Sequence, residues 1–379
     1  MKLLVLSQDI GKSAPGIVYE RLLSALTEFC EVDVITCSYS PSISISPSKV
    51  TLINYPSIHY RVNKLLFSLF STDVISFFLR KKIVLNSNYD AILSFCSSGN
   101  FFGVIVGRYL HKKYHFPWGC YCVDAVPAPL GWSKNDLFYR SIIRFVRHYF
   151  SNIELFASVS DEMLDYELSL FDSTATRKKI VLLPPIQNNR IINFNVNQDS
   201  FCYLYTGNTY GKRTAQNVMK AFELLANDIK EVELVFVGTI SYEDMQFAKN
   251  CPESIRNRIH FYPRTNDLRP FYERSNVLID IDADLDNDVY LSSKMSSYLV
   301  CNRPIICETG DNSPSRRLFK GIPSVLQCNH DVLELKNAML KCITRFSDFN
   351  YQDRDEIINQ FNAHKIAKDL CDTVSELIN

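Results

Sequence analysis

The chain has 379 residues, 46% of them apolar and 22% charged, and its formal net charge is zero. This length exceeds one ordinary core and suits two α/β domains, and the composition excludes collagen-like, coiled-coil and low-complexity classes. Residues 1–150 hold 16 Lys+Arg against 9 Asp+Glu, and the remainder 25 against 32, so a basic front half and an acidic back half are expected to meet different partners.

The N-terminus, MKLLVLSQDIG, carries one Lys and a five-residue apolar run. That run is too short for the core of a secretory signal and reads as a first buried strand, Lys2–Leu6, of a cytoplasmic protein. Twelve scattered cysteines, with Cys120-Tyr-Cys122 the one close pair, give no zinc or disulfide framework and point to reduced thiols.

Gly11-Lys12-Ser13 invites a phosphate-loop reading. The first glycine of such a loop would fall at Leu6, however, so the cradle is incomplete. The segment remains a glycine-bearing loop before a helix over 16–29. In that helix Val18, Leu22, Ala25, Leu26 and Phe29 share a face, and Gly16 stands where backbone can approach a ligand closely. A second strand follows at Val32–Thr36. Leu65–Leu79 is a 15-residue apolar stretch flanked by Lys64 and Arg80-Lys81-Lys82. It is short for a membrane span and reads as a core helix or as a helix resting on a membrane surface. Short apolar runs at Ala91–Ser94, Gly119–Val123, Leu155–Val159 and Val181–Leu183 complete the first half. Arg140, Arg144 and Arg147 recur at i, i+4 and i+7 beside Ile142, Ile143, Phe145, Val146 and Tyr149. They mark a basic amphipathic helix that suits a solvated face, anionic lipid or a lipid-diphosphate acceptor.

Residues 187–199, rich in Asn and Gln, read as a linker between a domain over 1–186 and a second over 200–362. A C-terminal helix over 363–379 is expected to cross back to the first domain. Strands are expected at Phe201–Tyr205, Glu233–Val237, Ile259–Tyr262, Val277–Ile281 and Pro304–Cys307, with helices near 214–226, 241–249, 267–275 and 293–301. The alternation implies two doubly wound, Rossmann-like parallel sheets facing a cleft, with ligands at the carboxyl ends of the strands.

Two segments of the second half point to an anion. In LYTGNTYGKRTAQNV, Gly207 ends a strand, and Lys212 and Arg213 stand in the loop before a helix that buries Val218, Met219, Phe222 and Leu225. Two cations at the mouth of a parallel sheet suit a diphosphate, each charge-assisted hydrogen bond contributing about 1.5–3 kcal/mol. In YLSSKMSSYLVCNRPIIC, Ser292 or Ser293 is placed to cap a helix, Lys294 stands at its start, and Asn302 fits a left-handed position beyond its end. Neither first strand is followed by a GxGxxG, which disfavours a dinucleotide dehydrogenase. The acidic run Asp280, Asp282, Asp284, Asp286, Asp288 reads as a polar loop with sugar-hydroxyl contacts and not as a metal site.

These segments together resemble a GT-B glycosyltransferase of the group 1 type, glycosyltransferase family 4. The resemblance rests on Gly207…Lys212-Arg213, on Ser292-Ser293-Lys294…Arg303-Pro304-Ile305, on ASVSDEM (157–163), on IVLLPPIQN (180–188) and on RIHFYPRTNDLRPFYERSNVLI (258–279). It implies a hexosyl-type transferase with a nucleotide-sugar donor as co-substrate, no further cofactor, no metal and no nucleic-acid partner. It also implies a saccharide or lipid-linked saccharide acceptor in bacterial surface polysaccharide synthesis, at the inner face of the cell membrane. Gly207, Asn208, Lys212, Arg213, Ser293 and Lys294 would hold the donor. Arg264 would lie near the base, following Pro263 where the family has Gly. Ser297 stands where the family has a Glu that bonds the donor ribose, and Val289 where it has the partner Glu. Asp124, in CYCVDAVPAP, matches the acceptor-side acid or histidine, with Gly16 on the same side; the residue pattern alone also fits a turn-forming Asp before Pro127. A bilobal binding protein and a sugar-nucleotide epimerase of similar build remain alternatives.

Overall fold

A computed structural model of the chain describes residues 1–195, 199–265 and 267–378. Val196, Asn197 and Gln198 of the expected linker, Asn266 and Asn379 lie outside the described residues. The chain divides into two compact units, Met1–Gln187 with Gln360–Asn379, and Asn188–Asn359.

The first unit runs β1 (Lys2–Ile10), α1 (Ala14–Leu26), β2 (Glu31–Tyr39), β3 (Lys49–Leu52), α2 (Tyr60–Phe70), α3 (Val74–Leu79), β4 (Ala91–Cys96), α4 (Phe102–Tyr114), β5 (Trp118–Cys122), α5 (Leu137–Tyr149), β6 (Leu155–Ser158), α6 (Asp161–Ser169) and β7 (Lys178–Val181). Its sheet has the order β3-β2-β1-β4-β5-β6-β7, and every pairing is parallel. Parallel strands are covered on both faces, which is why β4 and β5 are buried along their whole length. Leu4, Leu6, Ile92, Phe102, Trp118 and Phe145 are part of the core between sheet and helices.

The second unit runs β8 (Phe201–Thr206), α7 (Gln216–Asp228), β9 (Val232–Val237), α8 (Tyr242–Asn250), α9 (Glu253–Arg256), β10 (Ile259–Tyr262), α10 (Arg269–Arg274), β11 (Val277–Ile281), α11 (Met295–Tyr298), β12 (Ile305–Glu308), α12 (Pro314–Leu318), β13 (Val325–Cys328), α13 (Val332–Thr344) and α14 (Asp355–Gln360). Its sheet, again all parallel, has the order β10-β9-β8-β11-β12-β13. The order reverses between β8 and β11, the kind of switch point where such sheets open a crevice. The last helix, α15 (Ala363–Ile378), belongs to the first unit, where it packs on α1.

Four expectations change. The apolar stretch 65–79 is not one helix. Ser71 adopts a left-handed conformation (φ 51°) that ends α2, and the Asp73 carboxylate caps α3 by accepting from the Ile75 and Ser76 N–H groups. The helix expected over 293–301 shrinks to the single turn of α11, whose cap position is Lys294 and has no side-chain cap bond. Ser292 and Ser293 therefore do not cap it, and a turn this short offers no strong dipole end. Asn302 is not left-handed. Its Oδ1 accepts from the Phe194 N–H at 2.8 Å and its Nδ2 donates to the Phe194 carbonyl at 3.0 Å, so its amide pins the incoming chain. The buried Arg303 guanidinium donates to the carbonyls of Phe194 and Asn195, so residues 191–195, expected as free linker, are held against the second unit. All twelve cysteines are free thiols.

Candidate functional site: the carboxyl ends of β8, β11 and β12

The site begins at Gly207, the residue after β8. Its φ is +134°, and a Cβ there would stand 3.0 Å from Lys294 Cδ. Gly238, after β9, has φ +143°, and a Cβ on it would lie 2.0 Å from the Gly207 carbonyl oxygen. Two glycines thus let neighbouring strand ends close on each other and let the lysine stem cross over them.

Lys294 reaches this place because α11 is anchored from the other side. The Tyr298 hydroxyl takes the Thr206 N–H at 2.8 Å and lies 2.9 Å from the Thr206 hydroxyl, joining the helix to the last residue of β8. The Lys294 ammonium lies 3.0 Å from Asp280 Oδ1, at the end of β11, and 5.2 Å from the centre of the Tyr205 ring. Burial opposes its charge, but Asp280 and Tyr205 outweigh burial and raise its pKa. Ser292 donates its hydroxyl to the same Asp280 oxygen at 2.9 Å. Ser292 is therefore a support for Asp280, and Ser293 stands exposed beside it.

Arg213 closes a tight turn with Tyr210, each N–H donating to the other's carbonyl at 3.0 Å, with Gly211 left-handed between them. Burial works against the guanidinium, yet Tyr205, Tyr210, Asp282 and Asp280 together hold it above its ordinary value. Asp280 helps to hold the charge of both Arg213 and Lys294, and Arg213 lies close enough to work against the charge on Lys294. Lys212 is exposed on the same turn, its carbonyl accepting from the Asp284 N–H. Asn208 spends its Oδ1 on the Thr239 N–H, 3.0 Å away, which ties two loops together. Ser297 is half-exposed on α11, and Arg264 is exposed beyond β10, the edge strand of the sheet. The structure thus brings together Gly207, Arg213 and Lys294, leaves Lys212 and Ser293 exposed in the flanking segments, and sets Arg264 on a loop three strands from β11.

The acidic run is only in part a solvated loop: Asp284 and Asp286 are exposed, but Asp280, Asp282 and Asp288 are buried. Asp282 accepts from the Thr309 hydroxyl at 2.8 Å. Burial and the neighbouring Asp280 and Asp288 carboxylates push the Asp282 carboxyl up to about 7. Beside it Glu308, at the end of β12, accepts from Asn217 and pairs with His330 Nδ1 at 3.0 Å. Burial lowers the His330 pKa, but its bond to Glu308 outweighs burial and leaves it raised. No group of three His, Cys, Asp or Glu side chains is placed to hold a metal ion among the described residues. The arrangement is a pair of partly buried cations over an acidic floor that keeps them charged and oriented.

Glu308, His330 and Tyr298 carry no sequence signal for the site, and Asp280 reads there only as one member of the acidic run. One signal existed: Asp280 ends the otherwise apolar run Val-Leu-Ile, and a carboxylate inside a buried strand requires a partner.

In the first unit, Asp124 follows β5 and is half-buried, two residues before a cis Val126–Pro127 bond. Next to it the buried Glu167 accepts from the Val126 N–H at 2.7 Å, and burial chiefly raises its pKa. Gly16 lies in the first turn of α1, with its N–H donating to Ser13 Oγ. A Cβ there would meet Asp9 Oδ2 at 2.3 Å, so the close approach at Gly16 is made by the Asp9 carboxylate.

No protein-family model and no curated protein matches the sequence. Solved structures do match along the whole chain. HepE from Anabaena, in complex with UDP, has a TM-score of 0.69 at 12% identity, covering 99% of this chain and 100% of its own. Sucrose-phosphate synthase from Thermosynechococcus elongatus has 0.69 at 15%, covering 100% and 99%. The lipopolysaccharide outer core galactosyltransferase WaaB has 0.64 at 9%, covering 99% of both chains. The fold is accordingly that of GT-B glycosyltransferases, built from two Rossmann-like α/β sheets.

Proposed function

We propose that this protein is a glycosyltransferase of hexosyl type. It moves a sugar from a nucleoside-diphosphate sugar to a lipid-linked saccharide in the assembly of a bacterial surface polysaccharide. The observation that carries this reading is the convergence of Lys294 and Arg213 beside Gly207, at the switch point of a parallel sheet. Proteins sharing the fold support it, since HepE was crystallised with UDP and with UDP-glucose, and WaaB is a galactosyltransferase of lipopolysaccharide. As the glycosidic bond to the donor breaks, negative charge grows on the departing diphosphate, and two preorganised cations offset it. Lys212 and Ser293, exposed in the flanking segments, add contacts to the phosphates. Asn208 and Ser297 border the donor, and Arg264 lies toward the base. Asp124 takes the proton of the acceptor hydroxyl or orients it, with Gly16 in the same unit on the acceptor side.

The direct test is thermal unfolding with nucleotides and with free sugars. UDP or GDP at a hundredfold excess over its Kd is expected to stabilise the fold by about 2.7 kcal/mol. A response to free sugars alone would point to a binding protein instead. Release of nucleoside diphosphate without a glycosylated product would point to an epimerase.

The acidic floor predicts how donor binding depends on pH. Asp282 is half-protonated near pH 7, and an arriving diphosphate raises its pKa further, so binding takes up a proton. Affinity for UDP-glucose, measured by calorimetry, is expected to be level well below pH 7. Above it affinity falls, by at most about tenfold per pH unit for one linked proton. Asp282→Asn is expected to flatten that fall. A wild-type affinity that rises with pH would overturn the assignment.

A further inference from the structure

The first unit carries an unusual outer face. In α2, Phe67 faces the core, while Val62, Leu65 and Leu69 recur at three- and four-residue steps on another side and stand exposed. Leu65 is 59% exposed, Leu69 64%, Phe70 62% and, on α3, Phe78 63%. Exposed leucine and phenylalanine side chains clustered on adjoining helices are uncommon in a surface that meets only water. An apolar depression of about 650 Å³ continues the face between Phe70, Val74, Phe77, Phe78 and Tyr149, with Arg144 and His148 on its wall.

The charges around it are mainly positive. Lys64 sits on α2, and Arg80, Lys81 and Lys82 follow α3. α5, which packs against α2, exposes Arg140, Arg144 and Arg147 and contains no acidic residue. Arg144 donates to Ser71 Oγ at 3.1 Å and Ser141 donates to the Ser68 carbonyl at 2.9 Å, so α5 and the end of α2 form one surface. Of the two acids nearby, Asp73 is buried as the cap of α3, and Asp136 caps α5 and lies 3.9 Å from the Lys64 ammonium. No single described helix is long and apolar enough to cross a membrane, and α2 and the segment from α3 to Lys82 meet at a 70° bend.

We propose that α2, α3 and α5 form a docking face for an anionic lipid bilayer. Leu65, Leu69, Phe70 and Phe78 enter the headgroup boundary while the surrounding lysines and arginines meet lipid phosphates. An apolar centre inside a predominantly basic ring, with seven lysines and arginines against one exposed acid, matches that surface better than a protein partner, whose patch would need acids that happen to fit. The assignment adds a location to the transfer reaction proposed above but stands on different residues.

Co-sedimentation of the full chain with vesicles tests it. Binding is expected to vesicles of phosphatidylglycerol mixed with phosphatidylcholine, to weaken with salt, and to be at least about tenfold weaker to phosphatidylcholine alone. Leu65→Ser with Leu69→Ser and Phe78→Ser, and separately Lys81→Glu with Lys82→Glu, are each expected to lower the affinity about tenfold or more. Transfer to a soluble acceptor and nucleotide-induced stabilisation should be unchanged in both variants, so a failed docking face and a failed transferase reading give different results. Equal binding by wild type and both variants, or no binding to anionic vesicles, overturns the proposal. So does a wild-type dimer in sedimentation velocity that the serine variant dissociates, because the face would then join two copies.

Discussion

Lys294→Ala is expected to lower kcat for sugar transfer by about two to three orders of magnitude, the scale of losing one preorganised charge-stabilising group. The side chain has two tasks that must be separated. It faces the proposed diphosphate, and it neutralises Asp280, which is 1% exposed. Removing a partner from a buried ion pair costs about 3–5 kcal/mol, so the single variant is expected to unfold more readily. Pairing it with Asp280→Asn removes the stranded charge. The double variant should regain most of the lost stability and none of the lost transfer. Steady-state kinetics beside thermal unfolding checks both halves. Transfer within a few-fold of wild type in a well-folded double variant would refute the role given to this lysine.

Asp124→Asn is expected to reduce kcat by about 10²–10⁴-fold while leaving affinity for the nucleotide sugar unchanged, because the proposed donor cations belong to the other unit. Asparagine is the informative replacement. It keeps the size, the hydrogen-bonding reach and the turn preference of aspartate, but it cannot take a proton. A purely turn-forming residue before the Val126–Pro127 bond would tolerate the change with full activity, and that outcome would remove Asp124 from the chemistry.

The repeating architecture was written plainly in the chain. Runs such as Leu-Leu-Val-Leu in β1 and Val-Leu-Ile in β11 carry too few polar groups for a half-exposed sheet, so parallel strands covered on both sides follow from composition and spacing. The edge strand β3 was not legible, since its four residues are only partly buried and follow a stretch of serines and prolines. Strand β13 also escaped notice. The break at Ser71 depended on a single left-handed residue and an aspartate cap, both of which a continuous apolar run conceals.

Within the candidate site, local spacing marks Lys212 and Arg213 as the cations that follow a glycine-terminated strand. Spacing places Gly207 at a strand end and Arg213 in the loop after it, whereas Lys294 reads as the start of a helix that the fold reduces to one turn. The company those cations keep comes from the folded chain alone. Asp280 and Tyr205 meet Lys294 across 14 and 89 residues of chain, and Tyr298 meets Thr206 across 92, and neither periodicity nor spacing encodes such contacts. The same holds for Asn302 and Arg303, which look like the end of a helix and instead grip residues 194 and 195. The physical reason is that secondary structure follows from interactions along the chain. The charge state of a buried lysine, or of a carboxyl pushed to about 7, follows from which groups the fold brings within a few ångströms and how much water it removes.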